Sequence, residues 1–444
     1  MTECNPQIDL FSIGRRTVTA RFDGEALTSD VGVVLLGRID KRLGLTGRLS
    51  DALIDRRASR KVRHTHQDLL RQRIFQIAAG YEDANDANTL RDDPAFQLAL
   101  DRVPAEESLA SQPTLSRFEQ RSRRELLAMS EVLLDLWIER VVARSKKSHK
   151  KARLVLDLDS SDFIAHGQQE LAFFHGHYRN YIYYPLVVFD GEGWPVAFVL
   201  RPGSTRSAGV VSTVQRIVER LVFALPSFEL TIRADAGFSS PALYSFCEAA
   251  GIRYVIGLIT HQKLQERAEP WLAEARAEVA KSGRSVQLIR DFQMQWGKKN
   301  PVRRIITKAE VTPIGDNPRF LITNMSEPPE KMYEIYTGRG HSENRIKDLK
   351  NALRGDRMSC HHFRANQFRL LLHVAAYVLM YSLREHLAGT ELATAQMDTL
   401  RLRLLKIAAA VTVTARRIWL RLSSWHPSLD LFRRLAVDLR GSPA

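Results

Sequence analysis

The 444-residue sequence predicts a mixed α/β protein in which a helical N-terminal region, a β-rich centre and further helices follow one another. Three observations predict it. Apolar residues before about residue 144 recur at helical spacing. Five short β-rich runs come next, with two helical patterns between them. From residue 262 a charged helix and three more strand-like runs interrupt that alternation before helices return.

In LLRQRIFQIAAG (residues 69–80) apolar side chains repeat at helical spacing and a glycine ends the run, while residues 122–142 carry a longer amphipathic pattern. The charge run ARSKKSHKKAR (143–153) reads as a solvated linker and marks a boundary. Beyond it LVLDL, YYPLVVF, PVAFVL, FELTIRAD and YVIGLI read as strands, with helices expected over 210–225 and 241–250, giving the order β-β-β-α-β-α-β. The runs RSVQLIRDFQMQW, VRRIITKAEVT and RFLITN then build an insertion of β character over about 262–334. Helices are expected from Arg339 to the end, including TARRIWLRL, whose Arg416 and Arg417 would add to a basic surface. Residues 368–383 are apolar but shorter than the ~18 residues a membrane span needs, and they include His373, so they read as a buried helix.

Lys and Arg number 65 against 50 Asp and Glu, a formal charge of +15 that favours polyanionic partners, nucleic acid first, over acidic small molecules. The excess gathers at the end: residues 345–444 hold 17 basic and 7 acidic residues. Cys4, Cys247 and Cys360 are odd in number and far apart, which argues against a disulfide framework or a structural zinc site and suits a reducing interior. No secretory layout or membrane-length apolar run is present, so no membrane association is expected.

The first strand continues as LDLDSSD. Asp157 and Asp159 alternate with leucines, so both carboxylates face one side of the strand, where burial would demand a compensating cation. Asp235 ends TIRADAG in the same way. Either acid alone reads as a cap for the turn that follows. With a third acid the set would suit a hard divalent cation such as Mg2+, which takes several oxygen ligands.

Glu343 is the candidate third acid. In YTGRGHSENRIKDLK (336–350), Arg339, Glu343, Lys347 and Lys350 fall within about 80° on an ideal helix, and Tyr336 joins them if the helix reaches that far. Gly338 and Gly340 leave open that Tyr336 sits on an entering loop instead. An i,i+4 pair of Glu343 with Lys347 explains part of the stripe, but not the arginine and second lysine beside it. A carboxylate among cations suits a metal ligand next to a phosphate backbone.

Weaker candidates lie elsewhere. Trp296, in QMQWGKK beside two lysines, could stack on a nucleobase, or serve a turn or the packing. Trp271 reads as packed. The loop RPGSTRS carries Arg201 and Arg206, which could approach phosphates or simply be solvated. His166, His175 and His177 lack a partner that would complete a metal set and read as structural or DNA-contacting residues instead.

The spacing of Tyr336, Arg339, Glu343 and Lys350 resembles the Y-R-E-K signature of DDE transposases in the insertion-sequence four superfamily. FDGEALTSDVG, GYEDANDANTLRDDP, LASQPTLSRFE and HGQQELAFFHGHY resemble the insertion-sequence thirteen-eighty family, so the likeness covers most of the chain. It implies an RNase H-like catalytic domain over 154–384 with the β-rich insertion inside it, a helical DNA-binding domain over 1–143 before it, and a basic helical region over 385–444 after it. It implies that Asp159, Asp235 and Glu343 are the catalytic residues and the ligands of two Mg2+ ions, with Mn2+ as a substitute. Asp159 is preferred to Asp157 because Ser160 and Ser161 follow it, and Asp157 stays in reserve. Tyr336, Arg339 and Lys350, with Lys347, would hold the DNA strand.

The function implied is cleavage at insertion-sequence ends and strand transfer into target DNA. The partners would be double-stranded terminal inverted repeats, target DNA and a second copy of the chain in a synaptic complex, in the cytoplasm and at the nucleoid. A nuclease of the same fold without strand transfer, and an inactive DNA-binding regulator, are the alternatives.

Overall fold

The computed structural model describes residues 7–21, 23–148, 151–205 and 207–440, and the chain divides into two compact units. The larger holds Ala52–Ile54 and Glu119–Val378. At its centre is a sheet built from β1 (Ala152–Ser160), β2 (Leu186–Asp190), β3 (Pro195–Val199), β4 (Phe228–Ala234), β5 (Arg253–Leu258), β6 (Val286–Met294), β7 (Arg303–Thr312) and β8 (Arg319–Thr323). Their order is β6-β7-β8-β5-β4-β1-β2-β3. β1, β4 and β5 are parallel, and every other pairing in this order is antiparallel.

Helices α1 (Arg123–Ser148), α2 (Val210–Ala224), α3 (Pro241–Ala249), α4 (Gln262–Ser282), α5 (Pro329–Thr337), α6 (Gly340–Lys347) and the start of α7 (Phe363–Glu385) complete the unit. All of β2 and the ends of β1 and β4 are buried, which is why these strands read as apolar runs rather than alternating ones.

The expected strand order is present, with one addition. A small three-stranded sheet, Phe163–Ile164, Phe173–His175 and Asn180–Tyr183, stands between β1 and β2 in sequence. The β-rich insertion is not a separate layer, because β8 pairs with β5 and carries the sheet outward through β7 to β6. The charge run expected as a linker begins as the last turns of α1, whose Trp137 donates its indole N–H to Asp190 at 3.0 Å. That contact ties α1 to the β2 end, so the expected boundary at residue 143 falls instead near Phe118. His149 and Lys150 lie outside the described residues. The apolar run 368–383 is a buried helix, as expected.

The smaller unit gathers the chain up to Asp51, Asp55–Phe118 and everything from Leu379 onward. Its helix His66–Ala79 begins with a Thr65–Asp68 capping box and stops at Gly80, which takes φ +93°. The motif GYEDAND is held by the buried Arg73, whose guanidinium donates to the carbonyls of Tyr81, Glu82 and Asp83. Tyr81 donates its hydroxyl to Asp30 at 2.8 Å, and Lys406 pairs with the same carboxylate at 2.7 Å.

Two expectations for the C-terminal segment are corrected. Residues 385–444 do not form a region of their own: Val31 and Gly32 donate backbone N–H groups to Ile407 and Leu405, and a Cβ on Gly32 would lie 1.8 Å from the Leu404 carbonyl oxygen. Nor is TARRIWLRL helical. Ala409–Val413 and Ile418–Leu422 form a hairpin that pairs with Leu27–Thr28, because the β-branched and aromatic residues Val411–Val413, Ile418 and Trp419 on either side of a Thr414–Arg417 turn suit a ladder better than a helix. The N-terminal region is also less helical than expected, opening with the hairpin Ile8–Ile13 and Arg16–Ala20.

Candidate active site

The parallel register of β1 and β4 arranges the acidic residues in two tiers. Arg233 is opposite Asp157 and Ala234 is opposite Leu158, so Asp235 comes level with Asp159 one step beyond. Because side chains alternate along a strand, both tiers face the same side. In the lower tier the carboxylate is matched by arginines. Asp157 is wholly buried and accepts from Arg233 Nε at 2.6 Å and Nη2 at 2.8 Å, with Arg345 Nη1 at 3.4 Å. The upper tier places two carboxylates side by side at the strand ends.

That arrangement gives the two aspartates on β1 different surroundings. Asp157 is enclosed with two arginines, whereas Asp159 lies at the C-terminal end of β1, paired with one arginine and beside a like charge. Burial pushes the Asp159 carboxyl up to about 6, Arg339 opposes this, and Asp235 adds to it. Asp159 accepts from Arg339 at 3.0 Å and from the Ser342 hydroxyl at 3.4 Å. Asp235 is half-buried and caps the turn after β4 by accepting from the Gly237 N–H at 2.9 Å. The cap reading of Asp235 is therefore correct, and it leaves the second carboxylate oxygen for other use.

The third acid arrives on the α5–α6 segment. α5 ends at Thr337, Gly338 and Arg339 keep right-handed helical dihedrals, and α6 starts at Gly340, so Tyr336, Arg339 and Glu343 remain on one face. Arg345 anchors α6 by donating to the carbonyls of Asp190 and Gly191, each at 2.6 Å. Ser342 and Ile346 are buried against the sheet, while Glu343 is rotated to the exposed edge on the Arg339 side. Burial works against the Arg339 charge, but Asp159, Tyr336, Asp235 and Glu343 together hold its guanidinium above the usual range. One cation therefore senses all three acids.

Tyr336 belongs to α5 and not to a loop. Its hydroxyl would lie 3.1 Å from a Cβ on Gly257, which would also sit 2.9 Å from the backbone nitrogen of Ala236. Gly257 thus lets β5, the α5 end and the Asp235 turn meet. Gly338 serves the approach of Arg233, whose Nη1 donates to the Ile335 carbonyl at 3.0 Å.

After α6 the chain widens into a π-helical turn, Asp348–Ala352, which breaks the ideal angular series expected for the stripe. Lys350 is turned toward β1 and donates to Ser161 at 3.1 Å and to the Asp162 carbonyl at 2.9 Å. Lys347 is exposed.

Four further residues fare differently. Arg201 is 4% exposed and donates to the carbonyls of Tyr184 and Ala208 and to Ser160 Oγ, so it holds the loop together from within and is no exposed phosphate contact. Arg206 lies outside the described residues. Trp296 follows β6 at the edge opposite the acids: the ladders align Gln293 with Arg304, Thr323, Val255 and Arg233, and Trp296 lies three residues further from Asp235. β6 is also four strands from β4, about 19 Å across the sheet. Trp271 packs on Phe292, with ring centroids 6.1 Å apart.

Sequence reading missed Ser342, Arg233 and Arg345. The one available signal was that a buried second aspartate on β1 requires a cation nearby.

The donor set suits a hard divalent cation: carboxylate oxygens only, one of them buried beside a like charge that a cation would relieve. The three acids do not form a closed shell by themselves. Among the described residues the one group of three metal-ligating side chains with atoms within 4.8 Å is Glu170, His361 and His362. There Glu170 pairs with His362 at 3.0 Å and accepts from the Phe363 N–H at 2.9 Å, capping α7.

The family described as transposase DDE domain group 1 matches residues 11–444. No curated protein matches the chain. A solved structure, the piggyBac transposase synaptic complex with hairpin DNA, is similar over 86% of this chain and 83% of that one, at 13% identity and a TM-score of 0.41. No helix among the described residues is long and apolar enough to cross a membrane.

Proposed function

Because the chain belongs to the transposase DDE domain group 1 family and is a DNA transposase, we propose that it cleaves DNA at the ends of its own insertion sequence and transfers the freed strand into target DNA. The single observation that carries the site assignment is the tiering of the acids. Asp159 and Asp235 leave adjacent parallel strands side by side, the deeper Asp157 is neutralised, and the helix bearing Glu343 is bonded to Asp159 through Ser342.

In this reading the sheet of parallel β1, β4 and β5 with antiparallel β2 and β3 is an RNase H-like core. The Y-R-E-K spacing and the four N-terminal and central motifs favour the insertion-sequence four superfamily and its thirteen-eighty family. Asp159, Asp235 and Glu343 would hold two Mg2+ ions, which when bound supply activation of the attacking oxygen and stabilisation of the departing one.

The chain's own residues do the positioning. Arg339 has donors beyond the one spent on Asp159, and with Lys347 it sets a cationic edge along the α5–α6 segment for the strand's phosphates, while Lys350, bonded to Ser161 and Asp162, would meet the strand from the β1 side. Tyr336, wedged over Gly257, fixes the distance of that edge from Asp235. Arg345 and Ser342 keep α6 in register with β1. The smaller unit, whose hairpin exposes Arg416, Arg417 and Arg421, would bind the inverted repeats, and two copies would pair the two ends.

The test is Glu343→Gln in the full chain with DNA carrying the sequences that flank the coding region. Binding is expected to persist while Mg2+-dependent cleavage is lost, and unchanged cleavage would overturn the assignment. Supplying pre-cleaved ends with a plasmid target separates strand transfer from simple hydrolysis.

A further inference from the structure

The small sheet between β1 and β2 brings a wall of rings to the upper tier of acids. His175 stacks on Tyr184 at 5.8 Å between centroids, Tyr178 lies 5.1 Å from His175, and His177 meets Tyr178 edge-on at 4.9 Å. The wall is joined to the catalytic strand by Arg201, which sits over the Tyr184 ring at 5.8 Å and donates to Ser160, the neighbour of Asp159, at 2.8 Å. Burial first, and then the charges of Asp162, Asp159 and Asp235, push the Tyr178 hydroxyl above its usual range.

The outer rings are left open. Tyr178 and His177 occupy the exposed tip at residues 176–179, where Arg179 takes φ +51°, and Leu171 at the base of the same sheet takes φ +60°. The left-handed Arg179 closes the hairpin turn by donating its N–H to the His175 carbonyl at 2.8 Å, which holds the tip in one conformation. Packing accounts for Tyr184 and His175, which are half-buried. It does not account for an exposed tyrosine–histidine pair at the tip.

We propose that Tyr178 and His177 form the stacking platform for one unpaired nucleobase of the DNA strand whose phosphate lies at Asp159, Asp235 and Glu343. The inference rests on that placement of the phosphate. Among macromolecular partners, a single-stranded nucleotide is the one that combines a flat π-face with an anionic backbone. The wall offers aromatic rings with the exposed cation Arg179 next to Tyr178 in the chain, the combination single-strand sites use. The role first expected of Trp296 thus falls to a different element, one adjacent to the acids.

The experiment uses the full chain and DNA with 5-iododeoxyuridine scanned across the cleavage junction, cross-linked by long-wavelength ultraviolet light and mapped by mass spectrometry. At one junction position the cross-link should fall on residues 176–179, and it should be lost in Tyr178→Ala and kept in Tyr178→Phe. It should also persist in Glu343→Gln, so the platform is read by binding alone and can fail separately from the carboxylate assignment.

Cleavage completes the test. Tyr178→Ala should be slower on intact DNA by on the order of tenfold or more, and equal to wild type when that nucleotide is abasic. Cross-links confined to other segments, or the same loss of rate on abasic DNA, would overturn the proposal.

Discussion

Replacing each of the two aspartates on β1 separately tests the division of labour between them. Asp157 is wholly buried, with two short bonds from Arg233 and a weaker contact from Arg345. Asp157→Asn removes the charge and leaves the mostly buried Arg233 without its anion. Breaking one side of a buried pair costs about 3–5 kcal/mol, and because asparagine keeps one acceptor oxygen the lower figure applies. In a unit of this size that corresponds to a fall in Tm of about 6–12 °C.

Asp159→Asn acts on a site where burial and Asp235 already oppose the charge, so the relief offsets the lost Arg339 bond and Tm should stay within about 3 °C of wild type. The assay is thermal melting of metal-free protein, repeated with Mn2+. The upward shift caused by Mn2+ should survive in Asp157→Asn, measured from its lower baseline, and vanish in Asp159→Asn. If Asp157→Asn melts with wild type, or Asp159→Asn keeps the Mn2+ shift, the tiered reading of the acids is refuted.

The raised Asp159 carboxyl gives a pH dependence with a definite sign. A carboxyl held near 6 in the fold and near 3.8 unfolded contributes stability that is complete below about pH 4 and lost as pH rises through about 6, at most about 3 kcal/mol. Denaturant titrations of metal-free wild type and Asp159→Asn should therefore diverge across that window. Gly257→Ala sets a methyl against the Ala236 nitrogen and the Tyr336 hydroxyl, and should displace the Asp235 turn, destabilising by about 1–3 kcal/mol and lowering cleavage more than DNA binding. Lys347→Ala removes an exposed cation, so the slope of log affinity against log salt should shrink by about one with little change in Tm. An unchanged slope would remove Lys347 from the interface.

Much of the candidate site was legible in the sequence. The alternation in LDLDSSD put two acids on one strand face, TIRADAG ended a strand at Asp235, and the three- and four-residue spacings from Tyr336 to Glu343 predicted a shared helical face, which the near-continuous α5–α6 segment keeps. Lys350 left that series because a π-helical turn has no signature in a spacing of charges. TARRIWLRL was misread because its alternating residues tolerate helix or strand, and the partner that selects the strand, Leu27–Thr28, lies nearly four hundred residues away. Trp296 was misplaced for a related reason: the antiparallel ladders that carry β6 to the far edge, pointing away from the acids, are set by pairing with β7 and β8.

The sequence by itself determined the strands and helices that carry the acids, the residue types suited to a divalent cation, and the basic bias suited to DNA, because periodicity and charge are local properties of the chain. Only the tertiary structure decided which aspartate of β1 is compensated and which faces the like charge of Asp235. It also decided that Ser342 and Arg345 lock α6 to the sheet, that the C-terminal segment completes the N-terminal unit, and that aromatic rings from the small sheet stand beside the carboxylates. Those facts depend on strand register and on burial between residues distant along the chain, and the energy of a charge is set by the groups that surround it in space.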